Sequence, residues 1–406
     1  MNAPTLRILS LLPVLGHPRD SKRIAMLQAA GFELRVAAFE RDYHNGRMPS
    51  CPVDSLGRIQ HGQYLARAVK MLRALPALRR MLRATDVAWA SGPDMALFGI
   101  LAGFGLGKPV ILEVGDIRRV QVCGGLKGWI GRALDRFIVR RSSLLVVTAK
   151  GFAQEYYERR LGSRIPVLLM ENKLDEAPLR AALKGSVPSP VAPLDQSRRP
   201  LRIGYFGVLR CPWSWQVLKH VAQAMPDTVH VSLAGYCMDP PDLAEQARGV
   251  ANVEYLGTYR SPEDLPRLYG SVDIVWACYP GPEVTDPAWR WALSVCRSNR
   301  FYESCFFQRP LVSMAESGDG AEVRRMDVGL LLTDQSEEGV LRAIQGIRPE
   351  DLARWAANLR QLPLGVGVYT DEVQQLQSAI RRICGTSGNT DRPPQSRQDH
   401  QAGEVR

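Results

Sequence analysis

Paired cysteine motifs, histidine clusters and an unbroken apolar run of membrane length are all missing from this 406-residue chain. The eight cysteines are scattered without a C-x-x-C pair, and the six histidines show no paired spacing. This excludes a zinc site or a disulfide framework and points to a reducing compartment. Aromatic residues make up only 7% and are not interleaved with the basic runs, and no RNP-like or helix-turn-helix pattern occurs. That argues against a nucleic-acid-binding protein. Acidic residues are outnumbered, giving a net charge of +11. An anionic partner is implied: nucleic acid, an acidic membrane surface or a phosphorylated substrate.

What is present is ordinary globular composition, 45% hydrophobic and 23% charged, in a chain too long for one core. Residues 1–15 carry an apolar run without a basic leader and read as a first buried strand, not a signal peptide. Residues 95–114 come nearest to a membrane span of about 20 residues. Gly103, Gly105, Gly107 and Pro109 divide that run into a helix, a turn and a strand. Both readings place the protein in the cytoplasm.

Strand and helix signals alternate through the first half. Strands are expected over residues 6–12, 33–39, 87–90, 109–113, 144–148 and 166–170, with helices over 21–30, 62–82, 95–104 and 127–141. Gly31 closes the first helix as a C-terminal cap. From 174 to 200 the composition turns to Pro, Ala, Ser and Arg and reads as a linker. A second series places strands at 201–206, 229–234, 253–256, 274–277 and 310–313. Helices at 349–362 and 369–383 close it, and the polar tail beyond 385 reads as disordered. The fold class is therefore α/β, two doubly wound halves joined by a linker. The boundaries are 1–173, 201–366 and a C-terminal helix at 367–384 that packs back on the first domain.

Three places carry chemistry. A strand ends in Gly207, followed by Arg210, so backbone amides and a planar cation can meet a diphosphate there. Asn299, Arg300 and Glu303 open a later helix, with Arg300 and Glu303 one turn apart. A cation, helix-end amides and an acid at the carboxyl side of a sheet suit a ligand with phosphate and sugar hydroxyls. In the first half, Glu113 and Asp116 follow a strand, and both carboxylates are expected at a cleft, where one could deprotonate an acceptor hydroxyl. Gly16 and His17 sit in the loop after the first strand, positioned to contact a donor or acceptor.

Taken in order, the motifs form a pattern. Tyr205-Phe206-Gly207-Val208-Leu209, Trp213-Ser214-Trp215, Ala234-Gly235, Asn252 to Gly257, Leu265 to Tyr269, Asp273 to Trp276, Asn299 to Glu303 and Arg309 to Val312 succeed one another. Over residues 200–335 this order resembles the donor-binding half of GT-B glycosyltransferases, and most closely the family-4-like enzymes of bacterial polysaccharide assembly. The resemblance implies two Rossmann-like domains facing a cleft, with an N-terminal acceptor domain and a C-terminal donor domain. It also implies a nucleotide diphosphate sugar donor, UDP- or GDP-linked, and transfer of a hexose-type sugar to a lipid-linked or polysaccharide acceptor. By the same resemblance Glu303 meets the ribose and Arg300 lies near the phosphates. Two departures stand out. Val295 occupies a position that often holds a second acid, and Trp213 stands where a lysine often opens the helix after the glycine turn; Arg210 or Lys219 could replace that charge.

No Asp-x-Asp occurs, so no metal or other cofactor is expected, and arginines and helix dipoles would stabilise the leaving diphosphate. Basic-plus-apolar helices at 70–83 and 127–141 suit either packing on the sheet or an anionic membrane surface, the second consistent with peripheral attachment to the cytoplasmic face of the inner membrane. A sugar-nucleotide epimerase of the same fold is the alternative enzyme, disfavoured by the few histidines and the missing acid.

Overall fold

The computed structural model describes residues 5–40, 48–58, 64–183 and 200–385. Short apolar runs become strands, and the central ones, such as Val87–Ser91, Val110–Val114 and Leu144–Val147, are buried on both faces. In the first half the strands are β1 (Arg7–Leu12), β2 (Glu33–Glu40), β3 (Val53–Arg58), β4 (Val87–Ser91), β5 (Val110–Val114), β6 (Leu144–Val147) and β7 (Val167–Leu169). They pair in parallel in the order β3-β2-β1-β4-β5-β6-β7. The second half contributes β8 (Leu201–Leu209), β9 (Val229–Cys237), β10 (Val253–Tyr255), β11 (Ile274–Trp276), β12 (Leu311–Met314) and β13 (Gly329–Leu332). Their order is β10-β9-β8-β11-β12-β13. Strand order reverses beside β1 and beside β8, and ligands of such sheets lie outside the carboxyl ends at those points.

β3 and β13 went unread in the sequence. Only Leu56 of β3 is buried, so this edge strand lacks the apolar run that marks its neighbours. Parity along the interior strands divides the first core in two. Leu112 and Val114 face one side of the sheet, and Ile111 faces the other with Trp89, Leu34 and Val146.

The two halves are tied at several points. The Pro287–Ser294 helix of the second half places Ala292 in the first core. The final helix, Glu372–Gly385, crosses back so that Leu376 and Ile380 complete the far face of the first sheet. Where a linker was expected from residue 174, Leu174 instead forms a parallel bridge with Val368. An amphipathic helix, Glu176–Leu183, follows and buries Leu179, its Ala-rich sequence with a Pro having hidden a one-sided apolar contact. Lys173 reaches from the end of the first half to the Glu372 carboxylate and the Gly365 carbonyl. Residues 184–199 of the expected linker and 386–406 of the expected tail lie outside the described residues.

Candidate active site

The second sheet builds its part of the site from glycines. Gly235, at a φ of 133°, would drive a Cβ to 1.7 Å from the Gly207 carbonyl oxygen. β8 and β9 therefore touch backbone to backbone at their carboxyl ends. Gly207, at a φ of 112°, leaves room for Arg300, whose Nη2 lies 3.6 Å from where a Cβ would stand. Arg300 donates from Nε to the Phe206 carbonyl, and its guanidinium lies 4.9 Å from the Tyr205 ring centroid. The Asn299–Phe307 helix is thus pinned to β8 by its second residue; the strand does not end at Gly207, as expected, but pairs with β9 as far as Leu209.

Ser298 caps that helix, its hydroxyl accepting from the Phe301 N–H. The same residue donates its own N–H and hydroxyl to the two oxygens of Asp319, at 2.9 and 2.6 Å. Asp319 is buried, and burial pushes its carboxyl up to about 6. A carboxylate against a helix N-terminus is electrostatically favoured there, which offsets part of that cost. Glu303, one turn in, is also buried. Its Oε2 accepts the Tyr269 hydroxyl at 2.5 Å. Burial raises its pKa, opposed by the Tyr269 hydrogen bond and by the charges of Arg300 and Lys22. Lys22 belongs to the first half, so this acid faces both halves. Asn299 is exposed at the helix start, and Arg210 is exposed over the Tyr279 ring at 4.9 Å.

Opposite, Gly16 turns the chain after β1 at a φ of 83°. His17 caps the Pro18–Ala29 helix, and burial, then the Arg19 charge, lowers its pKa below the ordinary histidine value. Arg19 Nη1 donates to Asp116 Oδ2 at 3.2 Å. Asp116 is 79% exposed, just beyond β5. The charges of Asp116, Arg19 and Arg210 all act on Cys296 of the second half, whose thiol is pushed up by burial.

Glu113 does not join them, contrary to expectation. It sits on the Ile111 side of β5, buried, with Oε1 accepting from Arg23 Nε at 2.9 Å and Oε2 from Trp89 Nε1 at 2.7 Å. Strand parity directs it into the core, and both oxygens are occupied there. It is a structural ion-pair member, not a base at the cleft.

Residues 23–173 match the glycosyl transferase 4-like domain. Over 380 residues, 90% of each chain, the sequence is 27% identical to the succinoglycan biosynthesis protein ExoL of Rhizobium meliloti (strain 1021). The chain is a glycosyltransferase of the GT-B fold whose first half carries a glycosyl transferase 4-like domain. Solved structures share that fold at low identity. Sucrose-phosphate synthase from Thermosynechococcus elongatus superimposes with a TM-score of 0.68 at 14% identity, over 94% of this chain and 100% of that one. Anabaena Alr3699/HepE in complex with UDP-glucose gives 0.63 at 15%, over 93% and 100%. WaaG, a glycosyltransferase involved in lipopolysaccharide biosynthesis, gives 0.61 at 13%, over 92% and 99%.

Both departures from the family pattern in this glycosyltransferase have a packing explanation. Val295 caps the Pro287–Ser294 helix, and its Cγ2 lies 2.1 Å from where a Gly151 Cβ would stand. It packs one half against the other, a contact that an acid at this position would disturb. Trp213 is buried, donates to the Gln335 carbonyl at 2.8 Å and packs near Trp276. Lys219 lies well inside the Pro212–Ala224 helix and is half-buried, so Arg210 is the better-placed substitute charge. Arg19, Tyr269 and Asp319 of the enzyme were missed in the sequence. Arg19 carried a signal as a cation two residues after His17, and Tyr269 as the end of the Leu265 to Tyr269 motif, though not for its contact with Glu303.

Proposed function

We propose that this glycosyltransferase moves a hexose-type sugar from a UDP- or GDP-linked donor to a lipid-linked or polysaccharide acceptor, without a metal ion. Its setting would be exopolysaccharide, capsule or lipopolysaccharide assembly at the cytoplasmic face of the inner membrane. The meeting of Gly207, Arg300 and Glu303 beside a reversal of strand order carries the reading. Such an acid accepts ribose hydroxyls, while the cation and the free amides at the helix start, with Asn299, meet the diphosphate. Arg210 adds a second cation, and Asp116 takes the acceptor proton, with Gly16 and His17 beside it. The name of the Rhizobium relative, succinoglycan biosynthesis, and the UDP-glucose held by the Anabaena protein support the donor class and the pathway type.

No helix among the described residues is long and apolar enough to cross a membrane. A peripheral attachment is supported by the Gly125–Arg141 helix. It buries Gly128, Ile138 and Val139 but leaves Leu126, Trp129, Ile130, Leu134 and Phe137 exposed beside Lys127 and Arg140. The apolar stripe that could have packed on the sheet therefore faces outward, as interfacial helices do.

A thermal-shift screen with UDP, GDP, ADP and CMP in EDTA tests the donor assignment. A ligand at a hundred times its dissociation constant adds about 2.7 kcal/mol, and Glu303→Ala is expected to remove that shift while leaving the unliganded melt folded. An unchanged shift in the variant would sink the ribose role. A shift that appears only with a divalent ion would overturn metal independence.

A further inference from the structure

Arg19 is held by an arrangement that the donor-side residues do not explain. A Cβ on Gly115 would stand 1.5 Å from Arg19 Nη1 and 2.0 Å from Cζ, so the guanidinium occupies the space this glycine leaves open. Its partner, Asp116, is largely exposed, and an ion pair of that kind is weakly held. Arg19 Nε is buried and has no hydrogen-bond partner among the described residues. An unpaired buried donor on a cation is costly to maintain. The side chain keeps 27% of its surface exposed, and its charge, like that of Arg210, acts on Cys296 of the second half.

The charge on the donor side is thin even with Arg210, which is exposed over the Tyr279 ring. Trp213 has replaced a cation with a buried indole, and Arg300 has committed its Nε to the Phe206 carbonyl. A departing nucleoside diphosphate gains negative charge, and planar guanidinium forks match phosphate oxygens at two points. We propose that Arg19, reaching from the first half, exchanges its bond to Asp116 for the donor diphosphate and so adds a cation to Arg300 and Arg210. The exchange has a second effect. It releases the Asp116 carboxylate from its counter-ion only when donor is bound, which couples donor occupancy to the group placed to take the acceptor proton. This rests on the donor reading above, and the test separates the two.

Isothermal titration with UDP and UMP, and with GDP and GMP, is run on the wild type, Arg19→Met and Arg19→Lys. Arg19→Met is expected to bind the diphosphate of the preferred base about tenfold or more weakly. It should bind the monophosphate within about twofold of wild type, with Arg19→Lys in between. Asp116→Asn, which removes the competing carboxylate, is expected to bind the diphosphate at least as tightly as wild type. Equal losses for mono- and diphosphate in Arg19→Met, or no loss for either, overturn the assignment while leaving the donor class standing. A wild type that binds none of the four nucleotides removes the donor reading itself, and the Arg19 role with it. A lost ribose contact, as in Glu303→Ala, weakens both nucleotides alike and is thereby distinguished.

Discussion

Two carboxylates three residues apart show how little separates a buried structural acid from one left in water. Glu113 is inside β5, where alternation sends it to the face of Ile111 and Trp89; Asp116 lies past the strand end, where alternation no longer applies. The sequence motif was legible, but its division was not, because β5 is apolar on both faces and shows no alternation to tell its two sides apart. The consequence is opposite behaviour on mutation. Glu113→Gln leaves the buried Arg23 guanidinium without its counter-ion and is expected to cost about 3–5 kcal/mol, read as a lowered urea midpoint with an unchanged slope. Asp116→Asn, whose carboxylate is mostly in water, is expected to hold its midpoint within about 0.5 kcal/mol. Turnover in Asp116→Asn should fall about a hundredfold or more, as for a lost general base. A destabilised Asp116→Asn, or one with full turnover, would reverse the roles.

At the level of the element, the Asn299–Phe307 helix was visible from its apolar face and its opening Asn-Arg pair, and its bounds are those expected. What holds its start was not visible, because Asp319 comes from another helix and meets Ser298 only after β12 has brought the chain round. Tyr269, which fixes Glu303, is likewise remote in sequence. The buried Asp319 gives a pH signature. Its carboxyl is pushed up to about 6 from an ordinary 3.8, so the folded state binds this proton more tightly than the unfolded state. The stability it contributes is full below about pH 4 and is lost as pH rises through about 6. Asp20, similarly raised by burial, acts in the same window, so the wild-type curve alone does not isolate one residue. The difference between wild type and Asp319→Asn does. Urea melts at pH 4, 5, 6 and 7 are expected to show the wild type losing ground to the variant across that range. Parallel curves would mean that Asp319 does not titrate there.

For the whole molecule, alternating strand and helix signals gave two parallel sheets, and both were present. The tie between them was only partly legible. The closing helix was expected on the first domain and Leu376 and Ile380 do pack there, yet the Leu174–Val368 bridge depends on residues far apart in the chain. The excess positive charge acquires a location only in three dimensions. Lys127, Arg140 and Arg141 rim the exposed Trp129 and Phe137 of one helix, and Arg141 stacks its guanidinium 5.5 Å from the Phe137 ring. Aromatic rings at headgroup depth and cations at the anionic surface reinforce each other, each cation adding about 1 kcal/mol near the surface. Sedimentation with phosphatidylglycerol-containing vesicles is therefore expected to carry the protein down at low salt, and phosphatidylcholine vesicles to leave it in solution. Trp129→Glu with Phe137→Glu removes the apolar wedge without touching a buried residue, so its melt should match wild type while vesicle binding falls about tenfold or more. Charge reversal of Lys127 and Arg140 should weaken binding at low salt and matter less as salt rises, since screening shortens the reach of exposed charges to about 10 Å at 0.1 M. Binding that survives both sets of substitutions would move the membrane contact to another face of the enzyme and detach it from the helix beside the first sheet.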